Sequence, residues 1–156
     1  MLVLIPAYEP GDSLIALVRE LRAHSAAPNV LVVDDGSGPD HDEIFALARI
    51  HGATAHRYQE NRGKGHALKT GFAIARRYHP GEVVVCADSD GQHKVPDIML
   101  LLNALITKGF DAGLLINGLA SQRLREQSDQ LVVQDPDRDQ GGRHPDRVAR
   151  LSTEHA

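Results

Sequence analysis

Two kinds of hydrophobic pattern alternate along residues 1–118. Short runs rich in Val, Ile and Leu predict buried strands, at Leu2–Ala7, Val30–Asp34, Thr54–Tyr58, Val83–Ala87 and Ala112–Ile116. Between them, apolar residues recur every three to four positions and predict amphipathic helices, at Ser13–Ala23, Asp42–His51, Lys64–Tyr78 and Pro96–Thr107. Asp12 or Ser13 is placed to cap the first of these helices. The alternation predicts an α/β fold, an open and mostly parallel sheet with helices on both faces.

The pattern changes after residue 118. All six aromatic residues precede position 111, and 13 of the 38 residues from 119 to 156 are charged. A segment so poor in apolar side chains buries too little surface to offset its ordering entropy. We therefore predict one domain over residues 1–118 and a charged, disordered tail over 119–156. A pair of surface helices packed on the domain is the alternative for the tail.

Composition excludes several classes of protein. The chain has 156 residues, with 17 Lys and Arg against 21 Asp and Glu, and this net charge of −4 argues against a nucleic-acid coat protein. The single cysteine, Cys86, excludes a disulfide framework or a cysteine-based zinc site. No apolar run approaches the roughly 18 residues of a membrane span. The N-terminus lacks the basic region and cleavage site of a signal peptide.

Acidic residues follow two of the predicted strands. Asp88-Ser89-Asp90 ends the fourth strand and precedes Gly91. Such a carboxylate pair can hold Mg²⁺ or Mn²⁺ and so bridge the protein to a diphosphate, or the two acids can be solvated turn residues. Asp34 and Asp35 end the second strand, where a carboxylate can accept hydrogen bonds from a base or a ribose. The alternative is a turn in which Asp35 caps its own backbone before Gly36.

The third helix begins with the glycine-rich, basic segment 61–65, which contains Lys64. A helix N-terminus with nearby glycines attracts phosphate, although an ordinary exposed turn fits the same residues. The GxxxxGK[ST] and GxGxxG fingerprints are both absent. The DSDG segment has the form of the DxDG loop of haloacid dehalogenase phosphatases. However, that loop opens the first strand, whereas here it follows the fourth.

Taken together, these segments resemble a known family. The matching pieces are LIPAYEP (4–10), VLVVDDGS (30–37), NRGKGHALKTGF (61–72) and VVVCADSDGQH (83–93). They resemble the nucleotide-sugar-binding half of family 2 glycosyltransferases, which have the GT-A fold. The ADxDGQH form is most similar to polyprenyl-phosphate sugar synthases of the dolichyl-phosphate mannose synthase type.

The resemblance implies a role for each matching residue. It assigns the nucleotide-sugar donor to Pro6, Ala7, Tyr8, Glu9, Asp34, Asp35, Lys64, Asp88 and Ser89. It assigns catalysis to Asp88 and Asp90, and a divalent Mg²⁺ or Mn²⁺ ion to Asp90 and Gln92. Here Pro6, Ala7 and Tyr8 would line the base and ribose pocket, with Asp35 binding the base or ribose and Asp34 behind it.

The implied activity is transfer of a sugar from a UDP- or GDP-sugar to a polyprenyl phosphate or a glycan. Such an enzyme would work in the cytoplasm, peripherally at the inner face of the membrane, with no nucleic-acid partner. After residue 118 the sequence lacks the acceptor half that the family carries, so we expect a truncated or frameshifted chain. A non-catalytic nucleotide-sugar-binding or interaction remnant is therefore the alternative to an enzyme. The exposed edge of an incomplete sheet could also pair two copies of the chain.

Overall fold

A computed structural model describes residues 1–107 and the backbone of residues 114–115. The strands are β1 (Leu2–Ala7), β2 (Asn29–Asp35), β3 (Thr54–Tyr58), β4 (Val84–Cys86) and β5 (Leu114–Leu115). The helices are α1 (Asp12–Ala23), α2 (Asp42–Ile50), α3 (Lys64–Tyr78) and α4 (Val95–Thr107), with a 3₁₀ turn at Pro39–His41. The predicted tail over 119–156 lies outside the described residues, so the domain boundary at 118 stays a prediction.

The predicted α/β fold is confirmed. The strands form one parallel sheet in the order β3-β2-β1-β4-β5, with helices between successive strands. The order reverses between β1 and β4, because the chain first builds outward from β1 through β2 to β3 and then returns to the other side of β1. Parallel sheets of this kind open a crevice beyond the carboxyl ends of the strands at the point of reversal. Strand β3 forms one edge of the sheet, and pairing of two copies through an edge stays a prediction.

Two elements, β4 and α1, differ from their predicted bounds for physical reasons. Strand β4 is shorter than the apolar run 83–87, yet Val83 O accepts from Leu2 N and Ala87 N donates to Leu4 O, so pairing continues one residue beyond each end. The predicted cap of α1 was wrong. Gly11 takes the N-cap position and has no side chain to cap with, while Ser13 lies inside the first turn, where its hydroxyl donates to Ser89 O at 2.8 Å.

The sheet is buried on both faces, as its continuous apolar strands predict. Successive side chains of a strand point to opposite faces, and β1 and β2 divide their residues accordingly. On one face Val3, Ile5, Val30 and Val32 pack with side chains of α1, α2 and α4. On the other face Leu2, Leu4, Leu31 and Val33 pack with side chains of α3.

A glycine sets the distance between α3 and β1. A Cβ atom on Gly71 would lie 2.3 Å from Cδ1 of Leu4, a distance at which the two atoms would overlap. Hydrogen at this position lets the helix lie directly on the strand. The N-terminus of α3, which carries Lys64, is thereby held beside the carboxyl end of β1.

An ion pair joins the opposite end of the sheet, where β1, β2 and β4 begin. The carboxylate of Glu82 accepts from the terminal ammonium of Met1 at 2.7 Å and from Asn29 Nδ2 at 3.0 Å, and it lies 3.0 Å from His79 Nδ1. Burial alone would raise the pKa of Glu82, but hydrogen bonds from the terminal ammonium, His79 and Asn29 outweigh burial and hold this pKa below 4.5.

This cluster predicts an acid-sensitive contribution to stability. Because the folded pKa of Glu82 is depressed, its stabilisation is present above the unfolded value of 4.5 and is lost as the pH falls through the folded value. We expect Glu82→Gln to lower the free energy of unfolding by about 1 kcal/mol at pH 7, since the pair is partly exposed. Urea unfolding of both proteins at pH 7 and pH 3 measures this. A difference that is equally large at both pH values would contradict the assignment.

Candidate functional site

A cleft of about 250 Å³ lies at the reversal of strand order, beyond the carboxyl ends of β1 and β4. It is lined by Pro6, Ala7, Tyr8, Asp35, Lys64, Ala67, Asp88, Ser89 and Asp90. Four separate chain segments supply these residues, the ends of β1, β2 and β4 and the start of α3. Eight of the predicted site residues therefore share one cleft, and Ala67, which the sequence did not single out, completes its wall.

Asp35 is a buried carboxylate in this cleft, 3% exposed. Its Oδ1 accepts hydrogen bonds from the hydroxyl of Tyr58 at 2.6 Å and from the backbone N–H of Arg62 at 2.9 Å. Burial and the neighbouring carboxylate of Asp35 raise the pKa of Tyr58, so this phenol remains a donor at neutral pH. These two donors fix the orientation of the Asp35 carboxylate, which as an acceptor can bind an N–H or a hydroxyl group.

A close backbone approach makes the contact to Arg62 possible. Gly36 has φ +76°, and a Cβ at this position would lie 2.5 Å from Asn61 N and from Glu60 C. Only glycine meets both requirements, a positive φ and no side chain. The turn after β2 therefore lies against the segment that precedes α3, and it brings Asp35 to the N–H of Arg62.

Asp34 lies on the other face of the sheet, away from the cleft. Its Oδ1 accepts from the backbone N–H of Ser37 at 2.9 Å and from the hydroxyl of Ser37 at 2.5 Å. Its Oδ2 forms an ion pair with Nε of Arg57 at 2.7 Å, although the two groups are not aligned for a hydrogen bond. Arg57 also pairs with Asp42. Asp34 is fully buried, and these partners compensate its charge.

The acidic segment after β4 faces Lys64 across the cleft. Lys64 Nζ lies 2.6 Å from Asp88 Oδ1, and these side chains are 51% and 30% exposed. An ion pair this exposed is worth little, about 0–1 kcal/mol, so a ligand phosphate can replace Asp88 as the partner of Lys64. Asp90 is exposed, and its Oδ1 accepts from the backbone N–H of Gln92 at 3.0 Å.

These residues fit a hard divalent cation. Asp88 and Asp90 offer carboxylate oxygens and Gln92 an amide oxygen, and Mg²⁺ is commonly held by only one or two carboxylates together with substrate phosphates. No group of three or more His, Cys, Asp or Glu side chains that could hold a metal occurs within residues 1–107. The Gln92 side chain is exposed outside the cleft lining, so of these three side chains only those of Asp88 and Asp90 line the cleft.

Two buried side chains, those of His93 and Cys86, lie close to this segment in the sequence. His93 is buried, and its Nδ1 accepts the backbone N–H of Asp88 at 3.0 Å, which ties the end of the segment to its beginning. Its other nitrogen, Nε2, is buried without a hydrogen-bond partner in the described part of the chain. Burial, with a contribution from Asp88, raises the pKa of the Cys86 thiol to about 12, so this cysteine is an inert core residue.

The aromatic wall of the cleft comes from the loop after β1. Tyr8 is 48% exposed and lines the cleft, whereas Glu9 does not. A side-chain hydrogen bond with Glu9 raises the pKa of Tyr8. An exposed aromatic ring beside a buried carboxylate can stack on a flat ligand while Asp35 accepts hydrogen bonds from its edge.

The sequence reasoning missed three contributors to the site. Tyr58 and the backbone of Arg62 orient Asp35, and Ser37 binds Asp34. Tyr58 ends β3 in register with Asp35, so the contact between them could be predicted once β2 and β3 are known to pair. That pairing is a long-range contact, which the local sequence pattern does not give. A backbone N–H donor such as that of Arg62 cannot be predicted from side-chain identity, because every residue except proline has one.

Comparison with known proteins gives several related sequences. An uncharacterized protein of Methanocaldococcus jannaschii is 31% identical over 109 residues, covering 70% of this chain and 43% of the relative. Dolichyl-phosphate beta-glucosyltransferase of Drosophila melanogaster is 34% identical over 135 residues, covering 76% of this chain and 40% of the relative. Polyprenol monophosphomannose synthase of Mycolicibacterium smegmatis is 39% identical over 115 residues, covering 67% and 40%. The chain thus spans less than half the length of these curated relatives.

Two further findings complete the comparison. No solved structure matches the chain with significance, and among the described helices none has the length and apolar character needed to cross a bilayer. The family profile described as Glycosyl transferase family 2 matches residues 2–140, which is most of the chain. This match agrees with the α/β sheet and with the segments that line the cleft, and the chain belongs to glycosyltransferase family 2.

Proposed function

We propose that the cleft binds a nucleotide-sugar donor with a divalent metal ion, and that the sugar is passed to a polyprenyl or dolichyl phosphate. One observation carries the proposal. The cleft at the reversal of strand order collects Tyr8, Asp35, Lys64, Asp88 and Asp90 from four chain segments. The relatives named for dolichyl-phosphate glucosyl transfer and polyprenol phosphomannose synthesis support the acceptor class.

Different residues of the cleft would bind different parts of the donor. Tyr8 would stack on the nucleobase, and Asp35, held by Tyr58 and Arg62, would accept hydrogen bonds from the base or ribose. Asp88 and Asp90 would hold Mg²⁺ or Mn²⁺ at the diphosphate. Lys64, 2.6 Å from Asp88, would exchange this partner for a phosphate oxygen.

The chemistry requires stabilisation of the leaving nucleoside diphosphate. A bound divalent ion supplies Lewis-acid neutralisation of the charge that develops there. The ammonium of Lys64, at the start of α3, would add positive charge beside the same group. A lipid-phosphate acceptor is already an anion, so the proposed transfer needs no general base. Because that acceptor resides in a bilayer, we place the reaction at the inner face of the membrane.

Titration calorimetry of the full chain tests the donor site. We expect UDP or GDP to bind in the presence of Mn²⁺ and to bind at least about tenfold more weakly in its absence, because two carboxylates without metal repel the diphosphate. Absence of binding to either nucleotide under both conditions would overturn the proposal.

A second measurement distinguishes an enzyme from a binding remnant. The chain is incubated with Mn²⁺, a UDP- or GDP-sugar and a polyprenyl phosphate, and the glycolipid product is measured. Product formation supports the transferase. Metal-dependent nucleotide binding without product would assign the chain to the alternative, a nucleotide-sugar-binding module.

A further inference from the structure

The loop that carries Tyr8 has an unfavourable backbone conformation. Glu9 has φ +46°, in the left-handed region that a residue with a Cβ atom rarely occupies. Such a conformation persists only where the surrounding contacts hold it. Since Tyr8 directly precedes Glu9, a contact that holds the backbone of Glu9 also restricts where the ring of Tyr8 can lie in the cleft.

The hydroxyl of Ser37 makes the contact that holds Glu9. Its oxygen accepts the backbone N–H of Glu9 at 2.8 Å, across 28 residues of sequence, and its proton is donated to Asp34 Oδ1 at 2.5 Å. A serine hydroxyl has one proton and two lone pairs. Donation to Asp34 therefore fixes the direction of the hydroxyl and leaves a lone pair for Glu9.

Asp34 is itself held rigidly. It is fully buried, it accepts a second hydrogen bond from the Ser37 N–H, and its other oxygen pairs with Arg57 at 2.7 Å. Hydrogen bonds to an ionised carboxylate are shorter and stronger than those between neutral groups. The charge of Asp34 thus anchors Ser37, and Ser37 anchors Glu9.

We propose that Ser37 is a positioning residue, which holds Glu9 in its left-handed conformation so that Tyr8 presents its ring to the nucleobase. Neither Ser37 nor Asp34 lines the cleft, so both act through Glu9. This inference rests on the proposed function for its ligand, and it also gives Asp34 a role in the site that does not require contact with the donor.

Hydrogen exchange measured by NMR tests the hold on Glu9 without any ligand. In the full chain, we expect Ser37→Ala to speed exchange of the Glu9 amide by at least about tenfold, because the bond that protects it is lost. Ser25→Ala serves as the matched control, since Ser25 is exposed in the turn after α1 at the other end of the sheet. Unchanged exchange at Glu9 in Ser37→Ala would overturn the proposal.

Nucleotide binding tests the consequence for Tyr8. We expect Ser37→Ala to weaken binding of UDP or GDP with Mn²⁺ by about five- to tenfold, the worth of one hydrogen bond. In a Tyr8→Ala background the same change should cost nothing further, because the ring that Ser37 positions is already gone. An equal loss in both backgrounds would show that Ser37 does not act through Tyr8.

A further variant tests whether Ser37 acts through the backbone of Glu9. Glycine tolerates φ +46° without support, so the loss caused by Ser37→Ala should be smaller when Glu9→Gly is also present. An undiminished loss would contradict the role of Glu9. If the unmodified chain binds neither nucleotide, the proposed function has failed. Hydrogen exchange at the Glu9 amide then still tests, without a ligand, whether Ser37 holds Glu9.

Discussion

Asp90→Asn is expected to remove the metal-dependent part of nucleoside diphosphate binding, a loss of about tenfold to a hundredfold in affinity. Asparagine keeps the shape of the side chain and an Oδ1 acceptor for the N–H of Gln92, which Asp90 binds at 3.0 Å. The turn therefore survives, while the charge that would hold Mg²⁺ or Mn²⁺ is lost. Mutation of a residue that only hydrogen-bonds a metal ligand typically lowers metal affinity by about 10–100-fold. Loss of a ligand itself should lower it by no less.

The measurement is calorimetric titration with UDP and GDP, with and without Mn²⁺. Asp40→Asn is the matched control, because Asp40 is an exposed acid of the 3₁₀ turn outside the cleft lining. It should bind as the unmodified chain does. If Asp90→Asn retained the full response to Mn²⁺, Asp90 would not be a metal ligand, and the metal would have to lie elsewhere.

Gly36→Ala is expected to destabilise the domain by about 3 kcal/mol or more. Two costs combine, a positive φ that disfavours a Cβ by about 1–2 kcal/mol and an overlap at 2.5 Å with backbone atoms of Glu60 and Asn61. Backbone cannot move aside as a flexible side chain can. Any relief that separates the two segments also separates Asp35 from Arg62 N, so nucleotide binding should weaken as well.

Gly38→Ala isolates the first cost. Gly38 has φ +78°, yet no atom lies within 4 Å of the position of an added Cβ. Gly38 combines φ +78° with ψ 174°, so this variant should lose only the backbone cost of about 1–3 kcal/mol. Urea unfolding curves of both variants give the comparison. Equal losses at the two positions would show that the close approach at Gly36 contributes nothing.

The element pattern was predictable because it depends on local periodicity. Helix α3 and strands β1 and β3 have the bounds that were predicted from the sequence, and the other elements differ by a few residues. The failed cap of α1 shows the limit of local reasoning. Ser13 has a side chain suited to a cap, but the helix begins at Asp12, so Ser13 lies inside the first turn and its hydroxyl donates to Ser89 O instead.

The site was predictable where its residues follow strands. Asp35 ends β2 and Asp88 follows β4, two strands whose carboxyl ends share one edge of a parallel sheet, and both residues line the cleft. Asp34 was grouped with Asp35 by adjacency, yet alternation along β2 sends these neighbours to opposite faces. Ser37 was missed because its partner Glu9 lies 28 residues away.

The amino-acid sequence by itself determined the α/β class and the set of polar residues at the strand ends, because side-chain period and turn residues act over a few positions. Only the tertiary structure decided the strand order β3-β2-β1-β4-β5 and hence the position of the cleft. It also decided which of two adjacent carboxylates faces the cleft and which anchors the loop of Tyr8. These outcomes depend on long-range strand pairing and on close contacts such as those at Gly36 and Gly71. The energies of such contacts cannot be predicted from a short stretch of sequence, because the partners are far apart along the chain.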